Sequence, residues 1–335
     1  MKKFLSMVLA LAMSTSLFTF SASAKDFTDS SKIKYSEAVD VVSALDIVDG
    51  YADGSFNPSA TLTRGAAAKI ICNMILGPTT ADALSADTAP FKDVPANHTF
   101  SGYIAYCAQK GIISGYADGT FRPAGTLTGY AFMKMLLGAL GYDADIEGYT
   151  GSNWTVAVAK QAMGIGLDDG NDKFVGTQAV TREEACLYAF NTLTADVVEY
   201  GSKTTVNING ATVVVGGNEA SKVSNTAAAS KHYDGEGDGV MQFCEQYFKD
   251  LKLKSGESQD DFGRPAKTWY NKADKIGTYA KEADVVYTTK TKAETIYKDL
   301  DLSKAYNYAT VVDGVKGSDF VVTKKDGTTV NGATG

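Results

Sequence analysis

Gly50-Tyr51-Ala52-Asp53-Gly54-Ser55-Phe56-Asn57-Pro58 returns at a constant offset as Gly115-Tyr116-Ala117-Asp118-Gly119-Thr120-Phe121-Arg122-Pro123. A looser copy follows in Gly166-Leu167-Asp168-Asp169-Gly170 with Phe174. Each copy runs into a threonine-led segment: Leu62-Thr63-Arg64-Gly65, Leu127-Thr128-Gly129-Tyr130 and Val180-Thr181-Arg182-Glu183-Glu184. An internal period of about fifty to sixty-five residues marks a modular architecture. Before the first loop Ala38, Val41, Val42 and Leu45 fall at helical spacing, and after it Ala67, Ile70, Ile71, Met74 and Ile75 do so again. Each unit therefore reads helix, loop, helix. A helix pair this short cannot bury its own apolar faces, whereas three pairs packed together can. The expected fold is an N-terminal all-α, pseudo-threefold bundle with modules at 27–77, 91–141 and 149–195. Pro78 to Pro90, rich in Thr, Ala, Ser and Asp, reads as a linker.

From Tyr200 the composition shifts to Thr, Val, Gly and Asn. Val206 to Ile208, Asn209-Gly210 and Thr212 to Val215 spell strand, two-residue turn, strand. Phe320 to Thr323, Asp326-Gly327 and Thr328 to Val330 repeat the device. Val240 to Leu251 and Thr291 to Leu300 read as helices, the latter with Thr291 and Glu294 in a capping box. Residues 200–335 are thus expected to form an α+β or mostly β displayed region. The stop at Gly335, just after a hairpin signal, fits a truncated tail.

The chain has 335 residues, 44% of them hydrophobic, which is ample for packed cores. Met1-Lys2-Lys3, an apolar run from Phe4 to Phe20 and Ala22-Ser23-Ala24 give the charged, hydrophobic and small-residue regions of a secretory signal peptide at 1–24. No other stretch approaches the length of a membrane span. The formal charge of −7 argues against nucleic acid or an anionic membrane as the bulk partner. Cys72, Cys107, Cys186 and Cys244 have no short spacing, so neither a zinc site nor a redox pair is indicated. The first three lie on apolar helical faces as small hydrophobes, and a disulfide stays open for an exported chain.

Thr63 and Thr181 are good helix N-caps, and Thr181 with Glu184 completes a capping box. Arg64 and Arg182 then sit in the first helical turn, where the macrodipole disfavours a cation by about 0.3 to 1 kcal/mol. Two readings offset that cost. An anion can take the free helix amides and the guanidinium fork together, or the arginine can fold onto Glu183, Glu184 or a loop carbonyl and tie the unit together. The Asp-Gly loop itself lacks the closing glutamate of a calcium loop, since the twelfth position is Ala60 in one copy and Gly125 in the next. It reads instead as a structural turn, with glycines at positive φ and Phe56 or Phe121 buried.

Phe91-x-Asp93-Val94-Pro95, His98, Gly111-Ile112-Ile113-x-Gly115-Tyr116-x-Asp118-Gly119-Thr120-Phe121-x-Pro123 and the three threonine-led helix starts resemble the S-layer homology (SLH) domain in three tandem copies, of clostridial type. The resemblance covers about residues 27 to 195. It implies a three-pronged helical bundle whose intermodule grooves bind pyruvylated secondary cell-wall polysaccharide, with the motif arginine on the pyruvate carboxylate. It implies a secreted, cell-wall or S-layer location, allows self-association in a surface layer, and calls for no cofactor or metal. Arg64, Arg182, Thr63, Thr181 and Glu184 are then the expected ligand-site residues. Trp154 joins them, either as an aromatic that stacks on a sugar face or as an ordinary core aromatic, with Tyr35 and Phe100 near its place in the other copies. Gly129 stands where the second arginine belongs, so that groove is expected to be degenerate. Asp261-Phe262-Gly263-Arg264-Pro265-Ala266-x-x-Trp269 and Ile276-Gly277-Thr278-Tyr279 are similar to stretches of other clostridial-type proteins with these modules, and assign no activity.

The rival reading is a wall-tethered hydrolase with a carboxylate site in 200–335. His98 and His232 are the only histidines, which disfavours a histidine triad or a histidine-rich zinc site. Asp234, Glu236 and Asp238 cluster, as do Asp260 and Asp261, but flanking glycines make the first cluster a solvated loop. A noncatalytic surface protein is the expected function.

Overall fold

Thr63, Thr128 and Thr181 hold extended backbone, and each hydroxyl accepts the amide three residues on, at 3.2, 3.3 and 3.3 Å. That satisfies one of the unpaired donors at a helix start, so the second helix of every repeat begins at the following residue. In the computed structural model, which describes residues 25–202, 204–208, 211–259, 264–281, 321–323 and 329–331, the repeats contain seven α-helices. They are α1 (Ser36–Ala44), α2 (Arg64–Leu76), α3 (Pro78–Asp82), α4 (Ser101–Gln109), α5 (Gly129–Ala139), α6 (Trp154–Gly164) and α7 (Arg182–Thr194). The expected leader at 1–24 and the helix expected at 291–300 lie outside the described residues.

The first helix of a repeat packs on the second helix of a different repeat. α4 lies on α2, α6 on α5, and α1 on α7, which closes a cycle. The residues just before the caps close it at the backbone. Leu62 N–H donates to Val180 O (2.9 Å), Val180 N–H to Leu127 O (2.9 Å) and Leu127 N–H to Leu62 O (3.1 Å). All three side chains are buried, at 2% exposure each, so the ring of hydrogen bonds lies in the apolar interior. Around it α2 buries Ala67, Ala68, Ile70, Ile71, Cys72 and Met74, and α5 buries Phe132, Met133, Met135, Leu136 and Leu137. All four cysteines are buried free thiols, and Cys72 on α2 meets Cys107 on α4 at 3.6 Å between sulfurs.

Part of the expected linker is ordered. Pro78 opens the short helix α3, where its missing N–H costs nothing, and Ala81 is fully buried. Beyond the repeats come β1 (Val198–Tyr200), β2 (Thr204–Ile208), β3 (Ala211–Val215), β4 (Ala220–Lys222), α8 (Phe243–Tyr247), β5 (Leu251–Gln259), β6 (Pro265–Asn271) and β7 (Asp274–Ala280). β1 pairs with β4, β2 with β3, and β5, β6 and β7 form a three-stranded antiparallel sheet. The helix expected over Val240 to Leu251 is corrected to α8 alone, because Leu251 and Leu253 alternate with Lys252 and Lys254 at strand period.

The chain divides into two compact units, Met1–Ala280 and Lys281–Gly335, so the boundary falls well beyond the expected one near 200. The reason lies in β6 and β7. Trp269 is 1% exposed, stacks on Tyr233, meets Phe190 edge-on and donates its Nε1–H to Glu37 on α1 (2.7 Å). Tyr279 donates its hydroxyl to Asp40 one helical turn further (2.7 Å), and Lys267 pairs with Glu37 (2.8 Å). Within the second unit β8 (Val321–Thr323) pairs antiparallel with β9 (Thr329–Asn331). Among the described residues no helix is long and apolar enough to cross a membrane. Trp269→Ala is expected to destabilise the first unit by about 3–5 kcal/mol, measured by chemical denaturation.

Candidate ligand-binding grooves

The loop that opens each groove is shaped by carboxylates. Asp53 Oδ1 accepts the amide and hydroxyl of Ser55 (2.9 and 2.7 Å), and Asp118 Oδ1 does the same for Thr120 (2.9 and 2.6 Å). Gly54 and Gly119 take the left-handed turn, at φ 81° and 80°. From the start of the repeat Asp29 then clamps the amides of Phe56 and Asn57 (2.7 and 2.8 Å), as Asp93 clamps those of Phe121 and Arg122 (both 2.7 Å). Phe56 and Phe121 are buried beneath. The repetition of Phe27-x-Asp29 in Phe91-x-Asp93 is the sequence signal for this clamp. In the third repeat Phe174 N–H donates instead to the backbone carbonyl of Asn171 (3.0 Å), whose side chain accepts the Lys173 amide (3.2 Å) and donates to Tyr188 Oη (2.8 Å).

The helix starts are not open to an anion through their amides. Arg64 and Gly65 N–H donate to Gly125 and Pro123 O of the second repeat (both 2.9 Å). Arg182 and Glu183 N–H donate to Ala60 and Pro58 O of the first (2.8 and 3.1 Å). Gly129 and Tyr130 N–H donate to Gln178 and Gly176 O of the third (2.9 and 2.8 Å). The expectation that an anion takes the free amides is therefore corrected, because carbonyls of a neighbouring repeat already hold them. Thr63, Thr181 and Glu184 are likewise engaged as caps, Glu184 accepting both N–H and O–H of Thr181 at 2.8 Å.

The guanidinium groups cross the same joints. Arg64 donates from Nε to Phe121 O (2.8 Å) and from Nη2 to Ser114 O (3.2 Å), while Arg182 donates to Phe56 O (2.9 Å) and Asp49 O (2.7 Å). Each lies over two rings, Arg64 on Tyr116 and Phe121, Arg182 on Tyr51 and Phe56. So the loop carbonyl, rather than Glu183 or Glu184, offsets the arginine. Both hydrogens on Nη1 and one on Nη2 stay without an acceptor among the described residues. Burial pulls Arg64 below its usual pKa, opposed by Tyr116 and reinforced by Arg122, yet arginine stays charged.

Arg64 also walls a cavity of about 290 Å³ with Tyr116, Lys134, Tyr149 and Trp154. Arg64 and Trp154 are thus brought together in one wall, while Lys134 and Tyr149 were not singled out by the sequence. Lys134 was detectable, since it holds in α5 the place of Lys69 in α2. At Gly129 a Cβ would stand 2.8 Å from Phe174 and 3.2 Å from the Gly176 backbone, so a neighbouring ring takes the room an arginine would need.

Among the described residues, the candidate hydrolase carboxylates Asp234 and Asp238 serve loop turns. Asp234 and Asp238 accept loop amides two residues on (2.9 and 3.0 Å), and Asp260 and Asp261 lie outside the described residues. His232, 1% exposed, holds Glu245 at 2.9 Å, and Asn225 donates to the other carboxylate oxygen (2.7 Å).

This geometry can be set beside known proteins. The S-layer homology domain matches residues 26–68 and 90–129. Two stretches, one in each of the first two repeats, are thus S-layer homology modules. The third repeat lies outside both matches, in keeping with its missing aspartate clamp. A surface layer protein of Brevibacillus choshinensis is 24% identical over 217 residues, 64% of this chain and 19% of that protein. A middle cell wall protein of Brevibacillus brevis is 25% identical over 203 residues, 59% of this chain and 19% of its own length. A cell wall amidase of Bacillus anthracis, itself uncharacterized, is 29% identical over 153 residues, 43% of this chain and 28% of that protein. The chain therefore spans about a fifth of the length of the first two relatives.

The clamps make the loops acid-sensitive. Hydrogen bonds, led by the Phe56 amide, lower Asp29, and the amides of Phe121 and Arg122 lower Asp93 against an opposing desolvation. Thr120, hydroxyl then amide, with Arg122 brings Asp118 down to about 2. Folded pKa values below the unfolded ones mean full stabilisation above pH ~4, lost as pH falls through the folded values. Melting temperature should fall from pH ~4 toward pH ~2, and thermal denaturation of Asp93→Asn should show a shallower fall over that window.

Proposed function

We propose that this is a noncatalytic cell-surface protein, held at the cell wall by its S-layer homology modules through an anionic, pyruvylated wall polysaccharide. In this reading the three repeats, at about 27–77, 91–141 and 149–195, act as modules of one pseudo-threefold bundle. Two of the joints between them are working grooves, marked by Arg64 and Arg182, and the Gly129 joint is silent. The observation that carries the proposal is the Arg64 cavity, where an arginine with unused N–H donors shares a wall with Trp154. Such a wall suits a sugar ring bearing a carboxylate: the indole offers an apolar face, and the remaining guanidinium hydrogens offer charge-assisted bonds. Thr63, Thr181 and Glu184 serve by fixing the helix starts from which the arginines project.

The cell-surface location is supported by the two module matches and by relatives named as surface layer and cell wall proteins. The same names support self-association in a surface layer. The hydrolase reading gains no support from Asp234 and Asp238, whose carboxylates are engaged in loop turns.

The test is sedimentation of the full chain with purified cell walls, before and after removal of pyruvyl groups, beside an Arg64→Ala, Arg182→Ala double variant. The expected result is co-sedimentation of the wild type, lost on depyruvylation and reduced at least tenfold in the double variant. Unchanged sedimentation of that variant, with folding confirmed by circular dichroism, would overturn the arginine roles. Loss only on removal of the whole polymer would keep the anchor and change its ligand.

A further inference from the structure

The wall of the Arg64 cavity carries two cations, Arg64 and Lys134, and no carboxylate. Lys134 has no ion pair among the described residues, and its ammonium stands 5.8 Å from the centre of the Trp154 ring. Its counterpart Lys69 stands in nearly the same relation to Tyr103, at 5.7 Å, but is paired with Asp82 at 3.3 Å. Asp82 also accepts the Tyr103 hydroxyl (2.7 Å), which fixes that carboxylate beside the lysine. The third joint has neither cation, with Gly129 of the second repeat in the arginine's place and Leu187 of the third in the lysine's. By repeat equivalence Lys69 belongs to the Arg182 joint as Lys134 belongs to the Arg64 joint, and of these two lysines only Lys69 has an ion pair among the described residues.

A second observation points into the same cavity. Tyr149, 2% exposed, belongs to its wall, and its buried hydroxyl has no hydrogen-bond partner among the described residues. A buried hydroxyl left unpaired carries a desolvation penalty that an incoming acceptor would relieve. Burial pushes the Tyr149 phenol well above its ordinary pKa, so it remains an O–H donor, while burial draws the Lys134 ammonium down, against a weaker upward pull from Asp145.

Resting on the anchoring reading, we infer that Lys134 and Tyr149 form a second anion grip beside Arg64, so that this groove selects saccharide segments bearing two carboxylates. The groove at Arg182, whose repeat-equivalent lysine is spent on Asp82, takes segments bearing one. A monoacid leaves one half-buried cation unmatched in the Arg64 cavity, whereas a diacid pairs both and supplies the acceptor for Tyr149.

The probes are two methyl glycosides, a pyruvyl-ketal hexose with one carboxylate and a pyruvyl-ketal hexuronic acid with two. They are titrated against the full chain at constant ionic strength. The fluorescence change of Trp154 reports the Arg64 cavity, with Trp154→Phe as the control that removes it. The diacid should bind about tenfold more tightly than the monoacid. Lys134→Met keeps the apolar stem and should abolish that preference while leaving monoacid affinity within about threefold. Lys134→Arg should restore most of the preference, and Tyr149→Phe should weaken diacid binding alone. Equal affinity for the two acids, or an unchanged preference in a folded Lys134→Met chain, overturns the inference and leaves the anchoring reading standing. Failure of both acids to bind overturns that reading and this inference with it.

Discussion

The fold depends on one exchange: the exposed amides at the start of each second helix are closed by carbonyls from the loop of another repeat. A helix start leaves several N–H groups without partners, and in a buried joint each would cost as much as a broken hydrogen bond. Here the threonine cap takes one, and the next repeat's loop takes two more from Arg64 and Gly65, from Gly129 and Tyr130, and from Arg182 and Glu183. Because the first helix of that same repeat also packs alongside, the unit that buries apolar surface is a second helix with the first half of the following repeat. Around the cycle no repeat is complete without its neighbour. The backbone ring of Leu62, Val180 and Leu127 is where the three exchanges meet.

Much of this was legible in the sequence because it is written in local chemistry. Threonine at a helix start, Asp-Gly at a left-handed turn and phenylalanine two residues later each state their own geometry, and repetition removes chance. The partner of each helix was not legible, since helical spacing says that a face is buried but not against which element. The same limit hid Trp269, whose indole seeks Glu37 from far along the chain. Strand period after α8 was visible in Leu251-Lys252-Leu253-Lys254 but was outweighed by the aromatic run before it. The interface that carries residues beyond 200 into the first unit is thus tertiary, not local.

The arginine looks different once the amides are closed. Reasoning from the macrodipole asks for an anion at the helix end, yet that field is already met by neutral carbonyls of the adjoining loop. What remains is a guanidinium fixed by two carbonyls and two rings, with its outer hydrogens still free. Its rigidity is useful in itself, because a donor fork already held in place loses little entropy when a ligand arrives. The residue is at once a tie between repeats and a preorganised donor, so the two readings of it are compatible.

The Gly129 joint shows how far the two roles can separate. Its backbone exchange is intact, with Gly129 and Tyr130 bonded to Gln178 and Gly176 as their counterparts are elsewhere. The space above it is filled by Phe174, which meets Tyr130 and Tyr188 edge-on. Gly176 is required there too, because a Cβ would stand 2.2 Å from the Tyr130 ring. Glycine at 129 is therefore more than a lost arginine. Phe174, Gly176 and Tyr130 have repacked the joint, and restoring a side chain at 129 would collide with that packing before it could present a charge. The backbone cycle needs all three joints, whereas a cavity needs only the joint whose rings stand apart, and this chain separates those demands by giving one joint wholly to packing.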